Sequence, residues 1–118
     1  YKSDLTRTFF PPGKPVDRRF LEVYKILQEV LEKTKEFVKP GLTGKEVHNY
    51  AFHILQNYNI EKYFIHGLGH GVGIDIHEKP VLNPRSKDIL QKGCVFTLEP
   101  GIYIPLLGGI RLEEMYIL

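Results

Sequence analysis

The sequence predicts an α+β fold in a single domain. Two segments with helical spacing of apolar residues lie in the first half, and strand-like runs separated by glycine-rich turns follow residue 62. No linker, internal repeat or low-complexity tract divides the chain. With 118 residues, of which 42% are hydrophobic and 25% charged, the chain is long enough to bury a core.

The first element is a predicted strand over residues 1 to 10, which alternates in part between polar and apolar residues and ends at Pro11-Pro12-Gly13. In such a strand Asp4, Thr6 and Thr8 share one face. The chain begins without Met inside this strand pattern and stops inside another at residues 115 to 118. We therefore expect residues 1 to 118 to be one segment, truncated at both ends, of a longer protein.

Two amphipathic helices are predicted next. The first begins after Asp17, a suitable N-cap, and extends toward Pro40-Gly41. Its apolar stripe is Phe20, Tyr24, Leu27, Leu31 and Thr34. The second begins at the capping box Thr43-Gly-Lys-Glu46 and is expected to end near Asn59. Its stripe is Val47, Tyr50, Ala51, Ile54, Leu55 and Tyr58.

The clearest strands after the helices are Val95 to Leu98 and Ile110 to Tyr116. Within the second strand Arg111 and Glu113 are two positions apart and are expected on the same face. A purely structural ion pair from Arg111 to Glu113 or Glu99 is the alternative interpretation of these charges.

Composition excludes several classes of partner. The 16 basic and 14 acidic residues give a net charge of only +2, and the basic residues are scattered, so we expect no nucleic-acid partner. No run approaches the roughly 18 apolar residues of a membrane span, so no membrane association is expected. The single Cys94 fits a reducing compartment, which predicts a cytoplasmic protein.

The segment from His66 to Gly73 alternates glycine with larger residues. Glycine at positions 67, 69, 71 and 73 leaves one face of an extended chain bare, so another element can approach closely. The opposite face carries His66 and His70. A flexible loop with two solvated histidines is the alternative.

Two further residues, His77 and Glu99, are candidates for a functional site. His77 follows His70 by seven positions and precedes Glu78, but no second His completes a helical zinc signature, and alone it fits a hydrogen-bonded structural residue. Glu99 lies where an apolar strand meets Pro100-Gly101, so its carboxylate should be partly buried and must be paired, protonated or bound to a cation.

Considered jointly, Asp4, Glu99 and Glu113 contribute three carboxylates and His70 one imidazole. A close pair of like charges costs roughly 4 kcal/mol at an effective dielectric constant near 20, and a divalent cation removes that cost. Such a donor set suits Mn, Co, Fe or Mg better than a structural zinc, which prefers sulfur and nitrogen.

These motifs, in this order, resemble the metal-dependent Xaa-Pro peptidases, namely aminopeptidase P and prolidase, of the pita-bread superfamily that also contains methionine aminopeptidase and creatinase. The resemblance covers residues 1 to 118, and the His66-Gly-Leu-Gly-His70 and Glu99-Pro-Gly-Ile-Tyr103 segments resemble the Xaa-Pro branch. It implies an incomplete pita-bread domain in which two helices pack on a curved antiparallel sheet.

The resemblance also implies roles for the candidate ligands. Asp4 and Glu113 are similar to the carboxylates that bridge two metals, while His70 and Glu99 are similar to terminal ligands of one metal. The family has a further aspartate in an Asp-x-Gly context and a substrate-binding histidine, both of which would precede residue 1. The second metal would therefore keep only two ligands within this segment, which alone would be a poor catalyst.

The implied catalytic residues are His66, His77, Glu99 and Arg111. The two histidines resemble residues that contact substrate and stabilise the tetrahedral intermediate, Glu99 resembles the carboxylate that shuttles the proton of the attacking water, and Arg111 resembles the arginine that orients the cluster.

The implied function is hydrolysis of the bond between an N-terminal residue and proline by a metal-bound hydroxide. Two divalent ions are expected, with Mn or Co preferred and Zn or Fe as alternatives. The substrate would be a peptide or dipeptide with proline in second position, and the resemblance allows a homodimer. The alternative is a family member without peptidase activity, either a creatinase-like hydrolase or a non-catalytic binding module, which should have lost ligand residues.

Overall fold

The computed structural model describes residues 1–118 and contains two α-helices, a four-stranded antiparallel sheet and a separate two-stranded hairpin. The elements in chain order are α1 (Arg18–Phe37), α2 (Gly44–Asn57), a 3₁₀ turn (Glu61–Tyr63), β1 (Gly69–Gly71), β2 (Glu78–Leu82), β3 (Val95–Leu98), β4 (Gly101–Ile104), β5 (Gly108–Arg111) and β6 (Glu114–Ile117). The expected α+β organisation is confirmed.

Helix α1 begins as its cap predicts. The Asp17 carboxylate accepts a hydrogen bond from the backbone N–H of Arg19 at 2.9 Å, which satisfies one of the free donors of the first turn. The helix ends at Phe37, before Pro40, with the N–H of Val38 donating to the carbonyl of Thr34. Its buried residues are Val23, Leu27, Val30, Leu31 and Thr34.

The predicted capping box of helix α2 is present. The backbone N–H of Thr43 donates to the Glu46 carboxylate at 2.7 Å, and the N–H of Glu46 donates to the Thr43 hydroxyl at 3.2 Å. The helix ends at Asn57, two residues earlier than expected, and Asn59 adopts a positive φ of 56° beyond its end.

The four-stranded sheet has the order β2-β1-β3-β6, and all its neighbours are antiparallel. The bare glycine face of β1 is confirmed as a place of close approach. A Cβ added at Gly69 would lie 2.0 Å from the carbonyl oxygen of Thr97, and one at Gly71 would lie 2.1 Å from that of Lys79. Only glycine allows the neighbouring chains to come this near.

The prediction of one continuous strand from Ile110 to Tyr116 is wrong, because these residues are divided between two sheets. Strand β5 ends at Arg111 and pairs with β4, whereas β6 begins at Glu114 and pairs with β3. Between them, Glu113 donates its N–H to the carbonyl of Thr6 at 3.3 Å. The two halves share a strand-like composition, but each has a different partner.

The predicted strand over residues 1 to 10 also does not form as a regular strand. This segment makes one isolated β-bridge, between Thr6 and Glu113, and so lacks the repeated pairing of a ladder. The predicted alternation is nevertheless correct. Asp4, Thr6 and Thr8 are all partly buried, while the residues between them are exposed.

The hydrophobic core lies between the two helices and the sheets. Buried residues of both helices join residues of β2, β3, β4 and β5 in one cluster. Its members include Leu27, Val30, Val47, Leu55, Leu82, Phe96, Leu98, Ile102 and Ile110. Neither helix is both long enough and apolar enough to cross a membrane.

Candidate metal centre

Four side chains from distant parts of the sequence meet at one place. Asp4 comes from the first segment, His70 from β1, Glu99 from the residue after β3, and Glu113 from the break between β5 and β6. Nε2 of His70 lies 3.3 Å from Oε1 of Glu99 and 3.7 Å from Oδ2 of Asp4. One side-chain donor atom each of His70, Glu99 and Glu113 lies within 4.8 Å of the others.

The orientation of His70 is set by its backbone surroundings. Its Nδ1 lies 3.0 Å from the carbonyl oxygen of Gly71, an atom that can only accept, so Nδ1 carries the proton of the neutral ring. The lone pair of Nε2 then faces carboxylate oxygens of Asp4 and Glu99. Two anionic oxygens opposite a lone pair repel it, so either a proton on Nε2 or a metal cation between the groups must offset the repulsion. A histidine whose other nitrogen donates to a backbone carbonyl is the usual form of a metal ligand.

The surroundings of Glu99 disfavour the ionised form of its carboxyl group. Burial first, and then the charge of Glu113, raise the pKa of Glu99, and nearby His70, His66 and Arg111 counteract part of that shift. A bound cation would favour the ionised carboxylate. The donor set therefore fits a divalent cation chemically.

Thr97 forms hydrogen bonds with two residues of the cluster, His70 and Glu99. Its hydroxyl accepts a hydrogen bond from the backbone N–H of His70 at 3.2 Å and donates to Oε1 of Glu99 at 3.4 Å. Thr97 is fully buried on β3 and directly follows Phe96, which pairs with Gly71 of β1. Sequence reasoning missed this residue, although it lies two residues before Glu99 and in an extended chain would share a side with it.

His77 lies closer to the cluster than its sequence position suggested. Its ring centroid is 4.2 Å from that of His70, with an angle of 68° between the rings. One nitrogen of His77 lies within 4.8 Å of donor atoms of Asp4 and His70. His77 is exposed, so its ring borders both the cluster and solvent.

Arg111 makes neither of the two ion pairs considered from sequence. Its Nε donates to the Thr6 hydroxyl at 3.1 Å, and its Nη1 lies 3.4 Å from the hydroxyl of Tyr103. Contact with Tyr103 is the largest influence that raises the pKa of Arg111, and it is opposed by burial. Arg111 therefore meets the cluster through hydroxyl groups.

His66 lies beside this arrangement. Its Nε2 is 3.0 Å from the Tyr103 hydroxyl, and its Nδ1 is 2.7 Å from the carbonyl oxygen of Gly67. Thr6 and Tyr103 are thus further members of the site that sequence reasoning did not single out. The available signals were the shared face of Asp4 and Thr6 and the position of Tyr103 within the motif that begins at Glu99.

Several known proteins with similar sequences are named as peptidases. The model of metallopeptidase family M24 matches residues 1–118. The chain is 46% identical over 114 residues to the Xaa-Pro dipeptidase of Pyrococcus furiosus, covering 97% of this chain and 32% of that protein. It is 44% identical over 115 residues to a putative Xaa-Pro aminopeptidase of Mycoplasma genitalium, covering 98% of this chain and 32% of that protein.

Solved structures agree with the sequence comparisons. The prolidase from Pyrococcus horikoshii OT3 superimposes with a TM-score of 0.91 at 42% identity, covering 98% of this chain and 33% of that one. The expected pita-bread fold is thereby confirmed for the part of the domain present here. The chain spans about a third of the length of the relatives that it matches.

Proposed function

The chain belongs to metallopeptidase family M24, and from this premise we propose that the full-length protein hydrolyses the bond between an N-terminal residue and proline. The substrate would be a dipeptide or a longer peptide with proline in second position. The relatives called Xaa-Pro dipeptidase and putative Xaa-Pro aminopeptidase support the substrate class. The X-Pro bond lacks an N–H, so recognition relies on the shape of the ring rather than on strand-like pairing.

The observation that carries the proposal is the arrangement around His70. Its Nδ1 is committed to a backbone carbonyl, and its Nε2 points at the carboxylates of Glu99 and Asp4. The buried carboxylate of Glu113 has an oxygen within 4.8 Å of donor atoms of His70 and Glu99, so three acids lie around one imidazole. These four side chains are the proposed metal ligand set.

The proposed roles of the other residues follow from their positions. Bound divalent cations would supply a water of lowered pKa and would polarise the scissile carbonyl. Glu99, whose pKa burial already raises, would accept and return the proton of that water. His77, at the exposed border of the cluster, would stabilise the developing oxyanion, and His66 would help to hold the substrate. Arg111 would keep the cluster oriented through its hydroxyl partners.

The oxygen-rich donor set favours Mn or Co over zinc, with Zn and Fe as the alternatives. We propose two such ions, the second of which would have only Asp4 and Glu113 as ligands from this segment. We also propose a cytoplasmic location, which the single free Cys94 favours, and a homodimer as in the wider family.

A direct test measures release of the N-terminal residue from Xaa-Pro dipeptides by the full-length protein. We expect cleavage that stops after treatment with a chelator and returns when Mn²⁺ or Co²⁺ is restored. The matched substrate is the same dipeptide with alanine in place of proline, which should be cleaved more slowly. Activity that survives complete removal of metal would overturn the proposal.

The alternative is a family member that keeps the fold without peptidase activity. The metal content of the purified full-length protein separates the two functions, because the peptidase must retain divalent cations. The intact set of Asp4, His70, Glu99 and Glu113 favours the peptidase.

A further inference from the structure

A continuous chain of hydrogen bonds runs through Arg111 and joins two parts of the site that share no direct contact. One end of the chain is the carboxylate of Glu113, and the other is the imidazole of His66. Two hydroxyl groups, those of Thr6 and Tyr103, occupy the positions on either side of the guanidinium.

The direction of each bond near His66 can be assigned. The carbonyl of Gly67 can only accept, and it lies 2.7 Å from Nδ1, so Nδ1 carries the proton of the neutral ring. Nε2 is then the acceptor, and the Tyr103 hydroxyl, 3.0 Å away, donates to it. The oxygen of Tyr103 keeps its lone pairs for the N–H of Arg111, at 3.4 Å.

The direction is equally fixed at the other end. A carboxylate can only accept, so the Thr6 hydroxyl donates to Oε2 of Glu113 at 2.6 Å. The lone pairs of the same oxygen accept the Nε–H of Arg111 at 3.1 Å. The Thr6 hydroxyl therefore donates its proton to Glu113, and the Tyr103 hydroxyl donates its proton to His66. Both hydroxyl oxygens accept a hydrogen bond from Arg111.

We propose that Tyr103 and Thr6 are positioning residues whose hydroxyls hold Arg111 between them and thereby couple the orientation of Glu113 to that of His66. The proposal deepens the proposed function and rests on it for its effect on catalysis. A planar guanidinium with donors in a fixed fork suits this task, because two acceptors on different sides fix its position and its plane.

One consequence concerns His66. In this arrangement both of its ring nitrogens are engaged, one by Gly67 and one by Tyr103. Neither ring nitrogen of His66 is therefore free, so in the proposed function His66 would act on the substrate through the phenol of Tyr103. The half-buried Tyr103 ring packs edge-on against His66, with 5.4 Å between the ring centroids, which keeps the pair together.

The test uses the full-length protein and substitutions that remove single hydroxyls. We expect Tyr103→Phe to lower kcat/KM for a Xaa-Pro dipeptide roughly 10-fold, the effect of losing one hydrogen bond to a charged or basic group. Its affinity for Mn²⁺, measured by titration calorimetry, should stay at the wild-type value, since the phenol touches no proposed ligand. Thr6→Val should weaken Mn²⁺ binding roughly 10-fold, because its hydroxyl orients Glu113, and Thr6→Ser should restore it.

The matched control is Tyr58→Phe, which removes a phenol that donates to Glu29 between the two helices. It should leave kcat/KM and Mn²⁺ affinity unchanged. In the double variant Tyr103→Phe with His66→Asn, the loss should be smaller than the product of the two single losses, since both act through one contact.

Three results would overturn the proposal, and they are distinct from a failure of the proposed function. An active wild-type enzyme whose Tyr103→Phe variant is equally active, or whose double variant shows fully multiplicative losses, removes the role of Tyr103. Unchanged Mn²⁺ affinity in Thr6→Val removes the role of Thr6. An inactive wild-type protein would contradict the proposed function alone, and the metal titration would still decide the role of Thr6.

Discussion

Glu113 and Glu114 are adjacent residues with opposite environments. Glu113 is only 3% exposed, and its carboxylate is bonded by the neutral Thr6 hydroxyl. Glu114 is half-exposed and pairs with Arg7 at 2.9 Å. A buried carboxylate is costly without a counterion, whereas an exposed ion pair contributes little to stability. At the scale of single residues, the charge that needs a cation is therefore that of Glu113.

His48 is a buried histidine with one ring nitrogen that has no hydrogen-bond partner. It is 5% exposed, its Nδ1 is buried without a hydrogen bond, and its ring stacks on Phe64 with 5.4 Å between centroids. It lines a cavity of about 420 Å³ together with His66 and Arg85. Burial first, and then the charge of His66, lower the pKa of His48 below its ordinary value of 6.5.

This lowered pKa predicts a pH dependence of stability. The unfolded chain takes up the proton on residue 48 at a higher pH than the folded chain, so acid favours unfolding. The free energy of unfolding should fall as pH drops through 6.5, the ordinary value, by at most about 1.4 kcal/mol per pH unit. The loss should continue until the lowered pKa is passed.

Urea unfolding at a series of pH values between neutral and mildly acid checks this expectation. His48→Phe keeps a flat ring against Phe64 and removes the titratable nitrogen, so its stability should depend less steeply on pH than that of the wild type. The exposed His53, on the same helix, provides the control substitution His53→Phe. If the free energy of unfolding depended equally steeply on pH in the wild type and in His48→Phe, the prediction would be contradicted.

At the scale of elements, the glycine-rich strand is what lets the site form. Strand β1 is only three residues long, yet it carries His70 and lies between β2 and β3. Two of its glycines touch backbone atoms of neighbouring strands, so the strand could not sit there with side chains on that face.

Gly69→Ala tests this packing. The added Cβ would lie 2.0 Å from the backbone oxygen of Thr97, so β1 and β3 must separate. We expect the free energy of unfolding to fall by roughly 1–3 kcal/mol, the usual cost of overpacking. Gly67→Ala is the graded control, because its Cβ would lie 3.1 Å from the backbone oxygen of Leu82 and requires a smaller shift. Chemical denaturation should therefore rank Gly69→Ala as the less stable variant, and the reverse order would contradict the packing argument.

At the scale of the whole molecule, the proposed ligands come from both ends of the chain. Asp4 and Glu113 lie near opposite ends of the sequence, and the bridge between Thr6 and Glu113 brings these segments together. A cation held by such residues binds the folded state and has no preformed site in the unfolded chain. Metal binding should therefore stabilise the fold.

Thermal unfolding of the full-length protein with and without Mn²⁺ measures this linkage. At a metal concentration of about 100 times the dissociation constant, the expected stabilisation is about 2.7 kcal/mol. Glu113→Gln should lose most of the rise in Tm. Glu114→Gln is the neighbouring control, since its carboxylate pairs with Arg7, and it should keep the rise. Equal responses of the two variants would exclude Glu113 as a ligand.

The sequence predicted well wherever the cause was local. The caps at Asp17 and Thr43 and most of the helical stripes depend on residues within four positions of one another. The stripes were predicted incompletely, because Tyr58 is exposed and the buried Val23, Val30 and His48 were not among the predicted residues. The alternation of Asp4, Thr6 and Thr8 and the close approach along the glycine strand follow from the two-residue period of an extended chain. The order of the motifs was specific enough to indicate the family that the comparisons then showed.

Tertiary structure alone decided the features that depend on partners far along the chain. Composition could not reveal that residues 108–117 divide between two sheets, because both halves have the same strand propensity and differ only in what they pair with. Nor could it reveal that Arg111 reaches Glu113 through the hydroxyl of Thr6, a residue more than a hundred positions away. The sequence by itself determined the helices, the spacing of the glycines and the kinds of donor atoms. The fold determined which donors meet, since long-range pairing is set by the packing of the whole chain and not by any local pattern.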